Sequence, residues 1–241
     1  MRDLELPGRS PVMATNGMAA TSHPLSTQVA IDVIKAGGNA MDGAIAACAV
    51  QCVVEPGSTG IGGDCFALYA PEGKNKVIAF NGSGRAPAAA SYEKLRELGV
   101  SEIERKTAHS VIVPGAIDAW AQLNADHGRM PLGELLQPAI DYARNGYPIS
   151  QRVHFDFVKA REMVASDENL AAIFLKDGEV PAMGSLHRNP GLAKALEVIA
   201  KEGREGFYEG VLAQEMVDRL QEKGGLHTMR MVWMAPAPSA S

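Results

Sequence analysis

The sequence predicts an α+β fold, a single domain whose sheet comes mostly from the first ~90 residues while the rest is largely helical. Three observations lead there. Residues Ala44 to Val50 are small and apolar with almost no polar face, between Asn39 on one side and Glu55-Pro56 on the other. Two apolar runs, Cys65 to Tyr69 and Lys76 to Phe80, flank the turn-forming segment Pro71-Glu72-Gly73-Lys74-Asn75. From Ser91 onward, helical patterns follow one another.

In chain order, Val12-Met13-Ala14 reads as a short strand and Asn16-Gly17 as a turn. Ser22 or His23 caps a first helix with Pro24 in its first turn, where the amide that proline lacks has no partner to lose. Val29, Ala30, Val33 and Ile34 form its apolar stripe, and Gly37-Gly38 ends it. Asn39 is the candidate N-cap of the second helix. A helix apolar all round is expected to be buried, with Cys48 and Cys52 as small core hydrophobes. Glu55-Pro56 ends it, and the glutamate is expected to be paired or hydrogen-bonded because a lone buried charge is costly. Gly57, Gly60, Gly62 and Gly63 then supply backbone freedom, as if something fits tightly against that turn, with Ser58, Thr59 and Asp64 satisfying its backbone groups. The two apolar runs beyond it read as a β-hairpin.

Tyr92 to Leu98 is a short helix, and Val111-Ile112-Val113 an isolated strand before Pro114-Gly115. Ala116 to His127 is helical and stops at Gly128. Gly133 to Asn145 is another helix, broken or kinked by Pro138, and Val153 to Val164, Leu192 to Lys201 and Val211 to Lys223 repeat the pattern. Trp120, Phe155, Phe157 and Tyr208 are expected in the core or at an interface. Met229 to Ser241 lacks a helical pattern and ends in Ala, Pro and Ser, so it is expected to be disordered; it reads like out-of-frame translation before a premature stop. The domain therefore spans 1–228, with 229–241 as a tail.

The 241 residues are 46% hydrophobic and 21% charged, with a formal net charge of -5 and acids and bases interspersed. That mixture argues against nucleic acid, which calls for a concentrated basic patch. Asp42, Gln51 and Glu55 interrupt the best apolar run before it reaches membrane-spanning length, and Met1 to Arg9 shows no secretory pattern, so a cytoplasmic location is expected. Three cysteines and six scattered histidines show no metal-ligand spacing, and no cofactor is expected. Gly60-Ile61-Gly62-Gly63 follows a helix and precedes a strand, the reverse of a dinucleotide fingerprint. Gly57-Ser58-Thr59-Gly60 does not meet the serine-elbow pattern.

Thr21-Ser22-His23-Pro24, Lys35-Ala36-Gly37-Gly38-Asn39-Ala40, Asp42-Gly43-Ala44-Ile45-Ala46-Ala47, Val54-Glu55-Pro56 and Gly60-Ile61-Gly62-Gly63 resemble, in order and spacing, the gamma-glutamyltransferase (gamma-glutamyltranspeptidase) family. Pro114-Gly115-Ala116, Gln137-Pro138-Ala139-Ile140 and Gly206-Phe207-Tyr208-Glu209-Gly210 continue the likeness, which runs from about Met13 to Thr228 and covers the family's large subunit. The resemblance implies an N-terminal-nucleophile hydrolase, four layers in αββα order, of which this chain supplies part of both sheets. It implies cleavage of a γ-glutamyl amide such as glutathione, through an acyl-enzyme on an N-terminal threonine whose own amine is the base. That threonine opens a small subunit missing from this sequence, so the chain alone is expected to be inactive; Thr21 matches an early large-subunit motif and reads as a helix start. The resemblance also implies a large-subunit arginine that binds the substrate α-carboxylate, and Arg85 is the candidate. The family spacing is Phe-Arg-Glu-x-Ala-Pro, whereas here Phe80-Asn81-Gly82-Ser83-Gly84-Arg85-Ala86-Pro87 sets the arginine directly before Ala-Pro. Two other classes stay open: a non-catalytic remnant that at most binds a partner, and an acylase of the same superfamily with a different acyl substrate.

Overall fold

The computed structural model describes residues 12–71 and 75–229. Along the chain run α1 (Pro24–Lys35), α2 (Ala40–Val54), β1 (Cys65–Tyr69), β2 (Ile78–Gly82), α3 (Tyr92–Glu97), α4 (Ala116–His127) and α5 (Leu132–Asn145). Then come β3 (Tyr147–Pro148), α6 (Gln151–Ala165), α7 (Glu168–Phe174), β4 (Leu186–His187), α8 (Pro190–Tyr208) and α9 (Val211–Glu222). The early hairpin and the later helices are as expected; α7 and the two-residue strands β3 and β4 carry too little pattern to be read from sequence.

The molecule is organised around α2, which packs against α1, α5 and α4. Its start is a capping box: the Asn39 side chain accepts from the Met41 and Asp42 amides while the Asp42 carboxylate accepts from Asn39 N at 2.8 Å. Asp42 is fully buried and also accepts from Arg129 N at 3.0 Å, and Asn39 Nδ2 donates to the His127 carbonyl at 2.6 Å. Two polar side chains thus fix the end of α4 to the start of α2. The small residues of α2 let neighbours close in: a β-carbon on Gly43 would lie 3.2 Å from the Ala30 carbonyl oxygen. Burial is not all-round, however. Ala44 and Cys48, one turn apart, are exposed, because α1, α4 and α5 cover the other sides and no described element covers that stripe.

β1 and β2 pair antiparallel, Phe66 opposite Asn81 and Leu68 opposite Ala79. Cys65, Ala67, Tyr69 and Phe80 face the helical core. The other face is open, with Phe66 64% and Leu68 80% exposed. Val12-Met13-Ala14 and Val111-Ile112-Val113 are not strands; Val113 instead donates one backbone bond to Arg85 O at 2.9 Å.

α5 runs through Pro138 without interruption. The carbonyl deprived of a donor belongs to Glu134, an exposed residue, so solvent can satisfy it. α8 extends past Lys201 to Tyr208, with a break at Gly203, where φ is 67° and ψ -147°. Trp120, Phe157 and Tyr208 are buried as expected. Phe155 is exposed, on the outer side of α6 under the Lys159 ammonium. Among the described residues no helix is long and apolar enough to cross a membrane. The expected disorder of 229–241 falls, beyond Met229, outside the described residues.

Candidate active-site face

The backbone around the glycine-rich turn builds the candidate site. The Glu55 carbonyl accepts from Ser58 N at 2.9 Å and Thr59 N at 3.3 Å, and Gly60 O accepts from Gly63 N at 3.1 Å. Nothing fits tightly against the middle of this turn: β-carbons on Gly60 and Gly62 would meet no described atom within 4 Å. Ser58, Thr59 and Asp64 are exposed, and main-chain bonds rather than their side chains close the turn.

The tight fit lies further on. Gly63 O accepts from both Gly115 N at 2.9 Å and Ala116 N at 3.0 Å. A β-carbon on Gly82 would lie 2.6 Å from that of Ala119, and one on Gly84 would lie 2.8 Å from the Val113 carbonyl carbon and closer still to its oxygen. One on Gly115 would collide with the Gly82 carbonyl. Glycines therefore let the end of the turn, the exit of β2 and the start of α4 lie backbone to backbone. Gly82-Ser83-Gly84 and Pro114-Gly115 were visible in the sequence, but their mutual contact was not.

This knot fixes the backbone of Arg85. Exposure alternates along the segment: Ala79, Asn81, Ser83 and Arg85 are exposed, whereas Phe80, Gly82 and Gly84 are half-buried. Arg85 thus continues the open side of the hairpin, and its guanidinium makes no ion pair among the described residues. A planar, permanently charged fork displayed in this way suits a carboxylate, which it can hold with two parallel bonds.

At the amino end of α4, Gly115 N and Ala116 N donate to Gly63 O, and Asp118 N donates to Tyr208 Oη at 3.2 Å. Tyr208 in turn donates to Pro114 O at 2.8 Å, and Arg204 Nε donates to Asp118 Oδ1 at 2.6 Å. Burial pushes the Asp118 carboxyl up from its ordinary range, against the opposing pull of Arg204 and Gln122. The Asp118–Arg204–Tyr208 network ties α8 to residues 114–118 and so supports the knot from behind. Sequence reasoning placed Tyr208 in the core and missed its two charged partners.

The Thr21 hydroxyl donates to His23 O at 2.7 Å and lies 2.8 Å from Thr27 Oγ1, all within the start of α1, as expected of a helix start. Glu55 is buried and hydrogen-bonded as expected, accepting from Ser22 Oγ at 2.6 Å and from Gln51 Nε2. Burial pushes the Cys52 thiol to about 12 and Cys65 to about 11, so neither is a thiolate near neutrality. Among the described residues no group of three or more His, Cys, Asp or Glu side chains could hold a metal ion.

Comparison with known proteins agrees with this geometry. The gamma-glutamyltranspeptidase family model matches residues 26–230. The glutathione hydrolase-like YwrD proenzyme of Bacillus subtilis is 37% identical over 235 residues, which are 95% of this chain and 44% of that protein. The chain therefore spans less than half the length of that relative. Helicobacter pylori gamma-glutamyltranspeptidase superposes with a TM-score of 0.84 at 30% identity, covering 91% of this chain and 64% of that one. A cephalosporin acylase from Bacillus halodurans gives a TM-score of 0.84 at 35% identity, covering 96% and 46%. The fold is that of N-terminal-nucleophile hydrolases, of which this chain forms a part. By sequence over residues 26–230 and by backbone over nearly its whole length, the chain belongs to the gamma-glutamyltranspeptidase family.

Proposed function

We propose that this chain is the large-subunit part of an enzyme that cleaves γ-glutamyl amides such as glutathione. The acyl group passes to an N-terminal threonine of a small subunit, and then to water or an amino acid. Arg85 holds the donor carboxylate. The observation that carries this is the open hairpin face, with Phe66 and Leu68 exposed at one end and, at the other, an arginine on a fixed backbone that makes no ion pair among the described residues. An apolar sheet face of that kind calls for a covering partner, and a small subunit seated there would close Arg85 into a cleft. The test is the specificity constant for a γ-glutamyl anilide, measured on this chain combined with the threonine-bearing polypeptide. Arg85→Lys keeps the charge but loses the fork, and turnover falls; Arg85→Ala costs about 2–5 kcal/mol if the pair is buried. Wild-type constants in both variants would remove Arg85 from the site.

The position of Arg85 favours one second reading, an acylase acting on a different acyl group. In support, the arginine comes later than the family spacing, and the cephalosporin acylase is 35% identical. Faster release of another acyl anilide than of the γ-glutamyl one, by the same combined enzyme, would decide for it.

A further inference from the structure

We propose that His23 is an acid-sensitive latch: its neutral ring keeps the amino end of α1 closed and, through Ser22 and Glu55, steadies the glycine-rich turn, and protonation of the ring releases both. An N-cap is ordinarily Ser, Thr, Asp or Asn, whose side chain accepts from the first turn at any neutral pH. Here the cap is a histidine, and Nδ1 accepts from Leu25 N at 3.2 Å. An accepting Nδ1 carries no proton, so the hydrogen of the neutral ring sits on Nε2. The ring is only 4% exposed, and Nε2 has no partner among the described residues.

Protonation changes each of these relations for the worse. Nδ1–H would point at Leu25 N–H, donor against donor, and the cap bond would be lost. A positive charge would also sit at the positive end of the α1 dipole and in a desolvated place. Glu55, at the end of α2, is near enough to favour the cation. Arg152 on α6 is near enough to feel Glu55 and pairs with Asp156 at 2.8 Å. Asp32 and Lys35 are in the carboxy-terminal half of α1. Burial outweighs the pull of Glu55, so the ring titrates below its ordinary 6.5 in the folded chain. The sign follows: the folded state disfavours the proton, so the contribution of His23 is complete above pH ~6.5 and is lost as the pH falls through the lower folded value.

The release reaches the turn through adjacent residues. Ser22, next to the latch, donates to the Glu55 carboxylate at 2.6 Å, and the Glu55 carbonyl holds Ser58 N and Thr59 N. Once the start of α1 swings out, Glu55 loses one of its two side-chain partners.

Hydrogen exchange of the 241-residue chain, corrected for intrinsic rates, tests this between pH 7.5 and 5.0. The Leu25, Ser58 and Thr59 amides are expected to lose protection about 5–30-fold over that range, the worth of a lost N-cap. His23→Asn supplies a cap that does not titrate, and its protection should stay level. Undiminished protection in the unmutated chain, or a parallel loss in His23→Asn, would overturn the proposal. Independently of any variant, ring 15N shifts at pH 7.5 should show the Nε2–H tautomer; an Nδ1–H or cationic ring would overturn it equally.

Discussion

Replacing Gly84 with alanine tests whether the backbone knot holds the Arg85 segment. The added methyl would come within 2.8 Å of the Val113 carbonyl carbon and closer to its oxygen, and neither is the end of a flexible side chain. One of the two segments has to move, and the bond from Val113 N to Arg85 O spans the same gap. Overpacking alone costs about 1–3 kcal/mol, and a strained or broken backbone bond adds about 1 kcal/mol. A loss of about 2–4 kcal/mol is expected, a large share of the ~5–15 kcal/mol that stabilises a domain. Urea unfolding followed by circular dichroism measures it as a fall in midpoint at constant slope. Gly60→Ala is the control: its methyl meets no described atom within 4 Å, and it should change stability by no more than about 1 kcal/mol in either direction. Equal midpoints for Gly84→Ala and Gly60→Ala would refute the close approach.

Asp42→Ala should cost about 1–3 kcal/mol by the same urea assay, because it strands the half-buried Asn39 amide and the Arg129 amide that the buried carboxylate satisfies. Arg204→Leu should raise the Asp118 pKa further, since it removes both the hydrogen bond and the charge that oppose burial; a 13C titration of the carboxyl reads this. At pH 8, a thiol reagent should label Cys48 first, because its side chain is exposed even though partial desolvation raises its thiol too, then half-buried Cys65 more slowly, with buried Cys52 reacting only after urea is added, as followed by intact-protein mass spectrometry.

Local signals in this sequence were strong wherever a residue acts on its own neighbours. Asn39, Pro24 after His23, and Gly37 after α1 marked helix ends within a residue or two, because caps work through bonds spanning two or three positions, whereas the part of Asp42 in the capping box was not read. The hairpin was legible for the same reason, although β2 begins two residues later than the apolar run. What stayed hidden depends on partners far along the chain. The Asp118–Arg204 pair joins residues 86 apart, and no local pattern marks Asp118 as buried or Arg204 as its partner. The exposure of Cys48 was equally hidden, since an all-apolar helix does not say which of its sides lacks a neighbour. The glycines misled in a different way. Those crowded into Gly60-Ile61-Gly62-Gly63 drew attention, yet the close approach involves Gly82, Gly84 and Gly115, which are scattered.

That distribution of glycines bears on how substrate selection can vary within this architecture. Relative to Phe-Arg-Glu-x-Ala-Pro, two additional residues separate Phe80 from Ala86-Pro87, a length of about 6–7 Å in extended chain. A loose loop would absorb such a difference by drifting. This one cannot, because Gly84 lies flush on the Val113 carbonyl, Arg85 O is bonded to Val113 N, and the start of α4 is held by Gly63 O and Tyr208. The displacement is therefore passed on to whatever the guanidinium contacts. On the proposed role of Arg85, either the side chain would reach back along the open face past Ser83 toward Asn81, or the carboxylate it holds would sit further from the turn. If Arg85 holds the donor carboxylate as proposed, specificity would be set by where this backbone plants one charge, and changing it would call for repositioning the arginine rather than enlarging a pocket.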